Sequence, residues 1–407
     1  MRLLRPALFW LHLVAGVVAG GVVLLMSLTG VVLTYEKQLL AWADARAVGA
    51  SAPPAGGARL PATRLVEAAR RTRADAPSAL TVRADPTAPA AVHFGRAATV
   101  YVDPYTAAVL GEGAVGVRRA LRTVTDWHRW LGREGEGRAA GKAITGAANL
   151  AFLVLVVTGV VLWLPRRWTR ARLRQIGWFR RGLSGRARDF NWHHVIGAWT
   201  AVPLLVVVAS GVVISYPWAQ DLVHRAAGEE PPPRAGGGGR PGGGEGPPPL
   251  LGAAVDRALA SAEREAWGRM PGWRTLQLTL PTAPEAAIAA TVDAGRGGQP
   301  QRRASLTVAP ATGIVERWEP FDALTAGRRA RGILRFAHTG EVAGIAGQTV
   351  AGLASLGSVV LVWTGLALAA RRLLGWRARR GRRVGESLPG APTRPTIRPV
   401  ALPPRAP

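Results

Sequence analysis

The sequence predicts an α-helical integral membrane protein with four transmembrane helices in two repeats. Two small α+β domains, each a helix on an antiparallel sheet, are predicted outside the membrane. Three observations support this class. Four apolar blocks interrupt the 407-residue chain, arginine is concentrated beside these blocks, and the two halves of the chain share motifs at constant offsets.

Each apolar block is long enough to cross a bilayer, because a helix rises ~1.5 Å per residue and about 20 apolar residues span the hydrocarbon core. The blocks comprise residues 13–34, 143–164, 195–216 and 345–370, and none contains Lys, Arg, Asp or Glu. The first block exceeds the ~7–15 apolar residues of a signal peptide and has a near-copy in the third. We therefore expect it to be retained as a transmembrane helix.

The net charge of +27 comes largely from arginines that flank the apolar blocks. Residues 166–188 contain nine Arg and residues 371–383 contain seven. Short basic segments stay in the cytoplasm, so the central loop and both termini are predicted to lie inside. This location favours contact with anionic lipid headgroups and argues against a nucleic-acid-binding protein, for which no recognition motif is present.

The predicted order along the chain alternates membrane helices with external domains. It comprises a cytoplasmic N-terminus (1–12), a first transmembrane helix (13–35), a first external domain (36–142), a second transmembrane helix (143–165), a basic cytoplasmic loop (166–192), a third transmembrane helix (193–217), a second external domain (218–344) with a disordered linker (226–249), a fourth transmembrane helix (345–370), and a basic, partly disordered cytoplasmic tail (371–407).

The two halves of the chain repeat one another. A shift of 181 positions aligns the first and third blocks, and a shift of 206 aligns the second and fourth. The matched pairs are His12 with His193, Gly16 with Gly197, Gly30 with Gly211, Tyr35 with Tyr216, and Thr158-Gly159 with Thr364-Gly365. Each half therefore contributes one pair of membrane helices.

The external segments also follow a common pattern. Apolar residues recur at three- and four-residue spacing over 62–73 and 253–267, which predicts one helix in each segment. Alternating stretches then predict strands at 80–84, 90–94 and 99–103 in the first segment, and at 275–280, 287–292 and 304–308 in the second.

Four of the seven histidines occupy repeat-related positions at the ends of the apolar blocks. His12 and His193 are predicted at the cytoplasmic end, and His128 and His338 at the external end. Two imidazoles that reach one point from different helices can bind a haem iron axially. Because the chain contains no Cys, disulfides, thiolate metal sites and covalent haem attachment are excluded.

Gly16 and Gly197 follow their histidines by four residues, on the same helix face, and are predicted to leave room for a flat macrocycle. His194 has no counterpart in the repeat and is a secondary candidate for the inner site. Arginines near the four histidines are candidate partners for haem propionates; they are Arg5, Arg129, Arg188 and Arg335.

Two other interpretations of these residues stay open. A single His at a membrane interface is often only an amphipathic residue, and small residues such as Gly30 let helices pack closely. A di-iron or zinc site would need carboxylates beside the histidines, for which Asp126 and Glu341 are candidates on the external side.

Taken together, these motifs resemble the PepSY-associated transmembrane helix family of bacterial inner-membrane proteins. The resemblance covers residues 6 to about 375, and Tyr101-Val102-Asp103-Pro104 resembles the PepSY domain. The motifs that carry it are His12-x-x-x-Gly16 with Leu28-Thr29-Gly30, Trp127-His128-Arg129-Trp130-Leu131, Thr158-Gly159 to Arg166, Asn191-Trp192-His193-His194-Val195-Ile196-Gly197, and His338-Thr339-Gly340.

The resemblance implies a reductase of the inner membrane that binds two haem b groups. His12 and His193 would bind one iron, and His128 and His338 the other. A separate cytoplasmic reductase or membrane quinol would supply electrons, and a ferric siderophore or another ferric chelate would accept them in the periplasm. No catalytic side chain is expected.

Two other functions are consistent with the sequence. In a non-catalytic regulator, the external domains would bind periplasmic proteins and the helices would only anchor them. A permease would require charged or broken helices at mid-membrane, and the four blocks contain no buried charge.

Overall fold

The computed structural model describes residues 4–54, 57–95, 98–165, 169–233, 251–283 and 286–386. These residues form a bundle of long helices and a separate layer built on one β-sheet. The α-helices are α1 (Leu4–Leu33), α2 (Glu36–Val48), α3 (Ala62–Arg70), α4 (Val115–Trp130), α5 (Gly137–Trp163), α6 (Arg170–Gly177), α7 (Gly185–Ser215), α8 (Pro217–Ala226), α9 (Ala253–Arg269), α10 (Ala326–Ala337) and α11 (Gly344–Glu386).

The bundle consists of α1, α5, α7 and α11, which are long and apolar enough to cross a membrane. This confirms the four predicted spans. Helix α1 packs on α5 and α11, and α7 packs on the same two neighbours. Small residues permit the close approach, since a Cβ atom added to Gly20 would lie 3.3 Å from Leu366, and Ser27 accepts a hydrogen bond from Ser358 at 2.5 Å.

The membrane helices extend beyond the predicted apolar blocks. Helix α1 begins at Leu4, α7 begins at Gly185, and α11 continues to Glu386 through the first part of the predicted tail. Arginine and leucine favour helix, so the basic ends continue the helices of the apolar blocks. Residues 227–233 of the predicted linker follow α8 without helix or strand. The rest of the linker, and the tail from residue 387, lie outside the described residues.

The strands of both external segments form one eight-stranded antiparallel sheet, in the order β4-β3-β2-β1-β5-β6-β7-β8. The strands are β1 (Ala79–Arg83), β2 (Ala90–Phe94), β3 (Ala98–Val102), β4 (Val109–Gly111), β5 (Thr275–Thr279), β6 (Ile288–Asp293), β7 (Arg303–Val308) and β8 (Val315–Pro320). The six predicted strands are confirmed within one residue at each end. Two separate sheets were expected, but β1 pairs with β5 and joins them, with Leu80 opposite Leu278.

One face of the sheet is covered by α3 and α9, the two helices that the periodicity predicts. Alternate strand residues such as Leu80, Val92 and Leu276 are fully buried against these helices and form a single core with them. The helix–sheet layer therefore follows the expected architecture, except that its core is continuous across both segments.

Short helices connect the sheet to the bundle at its edges. Asp44 of α2 accepts a hydrogen bond from the Tyr101 hydroxyl of β3 at 2.7 Å and forms an ion pair with Arg118 of α4 at 2.9 Å. At the opposite edge, Glu319 of β8 forms an ion pair with Arg328 of α10 at 2.8 Å. The helices so anchored, α4 and α10, are the ones that lead toward His128 and His338.

Candidate functional site

The four histidines predicted to act together form two facing pairs. His12 and His193 belong to the membrane helices α1 and α7. His128 lies in the last turn of α4, and His338 follows the last residue of α10. Each pair therefore combines one residue from each half of the chain, as the repeat predicts.

The inner pair is formed by His12 and His193. Their ring centres lie 6.3 Å apart, and the ring planes are inclined by 85°. His12 Nδ1 lies 2.9 Å from the hydroxyl of Thr158 in α5, and His193 Nδ1 lies 3.0 Å from the hydroxyl of Thr364 in α11. All four membrane helices thus contribute a side chain to this pair.

The outer pair is formed by His128 and His338, with the same ring-centre separation of 6.3 Å and an inclination of 58°. The hydroxyl of Thr29 in α1 lies 2.9 Å from His128 Nδ1. His338 Nδ1 donates to the carbonyl of Val207 in α7 at 2.8 Å. The rings of α4 and α10 are therefore each fixed by a membrane helix.

These hydrogen bonds determine which ring nitrogen carries the proton. Each threonine hydroxyl has one hydrogen, which it donates to a carbonyl of its own helix: Thr158 to Val154 at 2.6 Å, Thr29 to Leu25 at 2.7 Å and Thr364 to Val360 at 2.7 Å. The hydroxyl can then only accept from the imidazole, and the carbonyl that His338 contacts can only accept as well. In all four rings Nδ1 carries hydrogen, so Nε2 of a neutral ring keeps its lone pair.

A glycine lies against the edge of each ring. A Cβ atom added to Gly159 would lie 3.4 Å from His12 Cε1, and one added to Gly365 would lie 3.3 Å from His193 Cε1. At the outer pair, the corresponding distances are 3.7 Å from Gly30 to His128 Cε1 and 3.2 Å from Gly211 to His338 Cε1. These glycines leave space for the rings, in addition to any role in helix packing.

The threonines and glycines were found as repeat motifs in the sequence, but their contact with the histidines was not predicted. Gly16 and Gly197, which were predicted to leave room beside the rings, face other residues. A Cβ atom on Gly16 would lie 3.6 Å from Leu155, and one on Gly197 would lie 3.7 Å from Leu361. Their proposed role stays a prediction.

His194 does not occupy a position equivalent to that of His193. Its Nδ1 contacts the Phe190 carbonyl of the same helix at 3.0 Å, and its ring packs on the Phe190 ring at 4.0 Å. His193 is the residue whose ring faces His12. Of the remaining two histidines, His93 lies between Thr81 and Thr99 in the sheet, and His224 is buried beside α10.

The four arginines predicted as propionate partners each have another contact in the structure. Arg5 donates to the carbonyl of Leu164 at 2.7 Å, and Arg188 forms an ion pair with Asp189 at 3.0 Å. Arg129 and Arg335 lie over the rings of Trp130 and Phe336.

Carboxylates do not surround either histidine pair within the described residues. Glu341, a candidate ligand near His338, forms an ion pair with Lys37 at 2.7 Å and accepts a hydrogen bond from Thr339 at 3.0 Å. In the described part of the chain, no three His, Asp or Glu side chains converge in a group that could hold a metal ion. The groups that the structure brings together here are the paired imidazoles.

Four apolar helices of membrane-spanning length, capped by a sheet layer, define a multi-pass membrane protein. The model of the PepSY-associated TM region matches residues 9–372, and the chain belongs to this family. No match is found among the curated proteins.

Proposed function

We propose that this protein transfers electrons across the bacterial inner membrane and reduces ferric chelates, such as ferric siderophores, in the periplasm. In this proposal His12 and His193 hold one haem b, and His128 and His338 hold a second. When bound, each haem would supply a one-electron carrier.

The single observation that carries the proposal is the separation of the paired rings. An imidazole nitrogen binds a transition metal at ~2.0 Å and lies ~1.2 Å from its ring centre, so two rings on opposite sides of one metal have centres ~6.4 Å apart. Both pairs have a separation of 6.3 Å. The separation recurs in both repeat-related pairs, as two sites that each hold one metal would require.

The contacts around the rings support the same conclusion. A metal-binding histidine usually donates its second ring N–H to a fixed acceptor, which holds the ring and selects the tautomer. The acceptors here are the hydroxyls of Thr29, Thr158 and Thr364 and the carbonyl of Val207. The chain thus prepares four Nε2 atoms as ligands before any metal binds.

The positions of the two pairs support transfer across the membrane. Seventeen residues separate His12 from Thr29 on α1, which corresponds to a rise of ~25 Å. The hydrocarbon core of a bilayer is ~30 Å thick, so this rise suits two pairs that lie near its opposite surfaces. The arginines beside the inner pair place it on the cytoplasmic side in this proposal, with both chain termini in the cytoplasm.

In the proposed reaction, one electron enters from the cytoplasmic side and converts a periplasmic iron(III) chelate to iron(II). The donor is membrane quinol or a separate reductase. Oxygen chelators bind iron(II) less tightly than iron(III), so reduction releases the metal. The residues of this chain hold the two carriers at a fixed spacing.

The test is electron transfer through the purified protein in liposomes. Vesicles contain a trapped water-soluble reductant, and a ferric chelate with an impermeant iron(II) indicator is added outside. We expect iron(II) to appear outside, and we expect the His12→Ala and His128→Ala variants each to lose this signal. Vesicles without protein are the control for leakage of the reductant.

The competing function is a non-catalytic regulator that acts through the sheet layer. It predicts a protein that folds in a haem-replete host without a Soret band and tolerates both substitutions. Folded protein that binds no haem and produces no external iron(II) would refute the proposed reductase and favour the regulator.

A further inference from the structure

A partly buried polar contact lies at the start of α10, the helix that leads to His338. Glu229, which follows α8, accepts a hydrogen bond from the backbone N–H of Gly327 at 2.9 Å and another from the Thr325 hydroxyl at 3.0 Å. Its carboxylate also lies 3.3 Å from Nδ1 of His224. Glu229 therefore caps α10 from a segment almost 100 residues away in the sequence.

The buried side of this contact is formed by His224. His224 is only 3% exposed, and its Nε2 is buried without a hydrogen-bond partner among the described residues. A Cβ atom added to Gly327 would overlap both His224 and Glu229. Glycine at this position, which is otherwise poor for a helix, allows the carboxylate to reach the first backbone N–H groups.

The other end of α10 is attached to the same stretch of chain. His338 Nδ1 donates to Val207 in α7, and Gly211 of α7 lies against the His338 ring. Helix α8 follows α7 directly and ends next to Glu229. The twelve residues of α10 are thus held at both ends by the α7–α8 segment.

We infer that Glu229 is a positioning residue for the outer site. By capping α10, the carboxylate fixes the helix along its axis and so fixes the His338 ring opposite His128. The negative charge suits this place, because helix N-termini attract anions. The contacts described above support a role of Glu229 in positioning α10, and the consequence for haem rests on the proposed function.

Loss of the Glu229 carboxylate is expected to change haem binding at the outer pair but not at the inner pair. In the described part of the chain, Glu229 contacts His224, Thr325 and Gly327, and none of these residues contacts His12 or His193. General destabilisation of the fold would instead affect both pairs. These outcomes are distinguished by comparing the haem affinity of the outer site with that of the inner site in the same molecule.

The first experiment measures the position of α10 without reference to haem. The chain has no native Cys, so Ile333→Cys in α10 and Ile144→Cys in α5 allow a spin-label distance measurement in the full-length protein. Both positions are exposed. We expect Glu229→Gln to broaden or shift the distance distribution, while Glu230→Gln, the neighbouring exposed carboxylate, leaves it unchanged.

The second experiment measures haem at each site in the same variants. We expect Glu229→Gln to lower the haem affinity of the outer site about tenfold, at the lower end of the ~10–100-fold effects of outer-shell partners, without a change at the inner site. Gly327→Ala should produce the same outer-site defect with every charge intact. This variant keeps the test decisive if Glu229→Gln does not fold.

Unchanged label distances together with unchanged outer-site affinity in Glu229→Gln and Gly327→Ala would overturn the inference. Equal losses at both sites would also overturn it. If no variant and no wild-type protein binds haem, the proposed function fails, but the label distances still decide whether Glu229 positions α10.

Discussion

The Thr29 hydroxyl of α1 accepts a hydrogen bond from Nδ1 of His128, although 99 positions separate them in the sequence. The same helix carries His12, whose own partner is Thr158 of α5. One membrane helix therefore supplies a ring to the inner pair and an acceptor to the outer pair. Helix α7 likewise supplies the His193 ring to the inner pair and the Val207 carbonyl, as an acceptor, to the outer pair.

This arrangement makes the helices set the distance between the two pairs. The rise of α1 between His12 and Thr29 is fixed by its backbone hydrogen bonds, so the two pairs cannot shift independently. In the proposed function, this rigid spacing suits electron transfer across the bilayer without movement of the helices.

The threonine partners provide a first prediction. Thr364→Val keeps the side-chain volume but removes the acceptor for His193 Nδ1, so the inner ring loses its fixed orientation. We expect haem affinity at the inner site to fall about tenfold, with no change at the outer site. Transfer of haem to a competing apoprotein measures this. Thr200→Val is the matched control, because the structure shows its hydroxyl donating to Ile196 of its own helix; a similar loss in this control would contradict the prediction.

The glycines beside the rings give a second prediction. A Cβ atom in Gly365→Ala would lie 3.3 Å from His193 Cε1, so the ring must move by a few tenths of an ångström. We expect an altered absorption spectrum of the inner site. The helix itself should not be weakened, since Ala favours helix over Gly by up to ~1 kcal/mol. Gly21→Ala is the control, because a Cβ atom there would meet nothing within 4 Å. Identical spectra for the two variants would refute a role of Gly365 at the ring.

The strand pairing that joins the two halves gives a third prediction. Leu278 of β5 is fully buried opposite Leu80 of β1. Leu278→Ala should cost ~2–5 kcal/mol of unfolding free energy of the sheet layer. The exposed neighbour Gln277→Ala should cost less than ~0.5 kcal/mol. Hydrogen exchange at the β1 and β5 amides measures both, and local protection that survives Leu278→Ala would show that the halves fold separately.

A fourth prediction concerns pH. Burial in the sheet, aided by the charge of Arg118, lowers the pKa of His93 to about 4. The unfolded chain binds this proton near pH ~6.5. The contribution of neutral His93 to the free energy of unfolding is therefore fully present above that pH, and it falls by at most ~3 kcal/mol as the pH drops from ~6.5 toward 4. His93→Gln should remove this part of the pH dependence in urea titrations. If the variant kept the wild-type dependence of unfolding free energy on pH, this prediction would be wrong.

The sequence predicts those features that depend on local patterns. Apolar length predicts the four membrane helices, and alternation predicts six of the eight described strands within one residue, because burial of one face leaves a period of two. The edge strands β4 and β8 were not predicted. The histidines stand out because the repeat places them at equivalent positions. The family resemblance, supported by the same motifs, is confirmed over residues 9–372.

The features that the sequence does not predict depend on contacts between distant segments. Alternation specifies which face of a strand is buried but not which strand lies beside it, so the β1–β5 pairing was not predicted. The hydrogen bond from His128 to Thr29 depends on how α4 meets the bundle. A helix-packing role for Gly30 and Gly365 is consistent with their spacing, and only the structure shows that the two residues also contact histidine rings.

In the proposed function, each facing pair of histidines holds one haem. The most direct test is the haem-to-protein ratio of purified wild-type protein and of four single variants, His12→Ala, His193→Ala, His128→Ala and His338→Ala, together with His194→Ala. We predict about two haems in the wild type and in His194→Ala, and about one in each of the other four, with low-spin spectra throughout. Folded wild-type protein without haem, or a ratio that falls in His194→Ala but not in His193→Ala, would contradict the account.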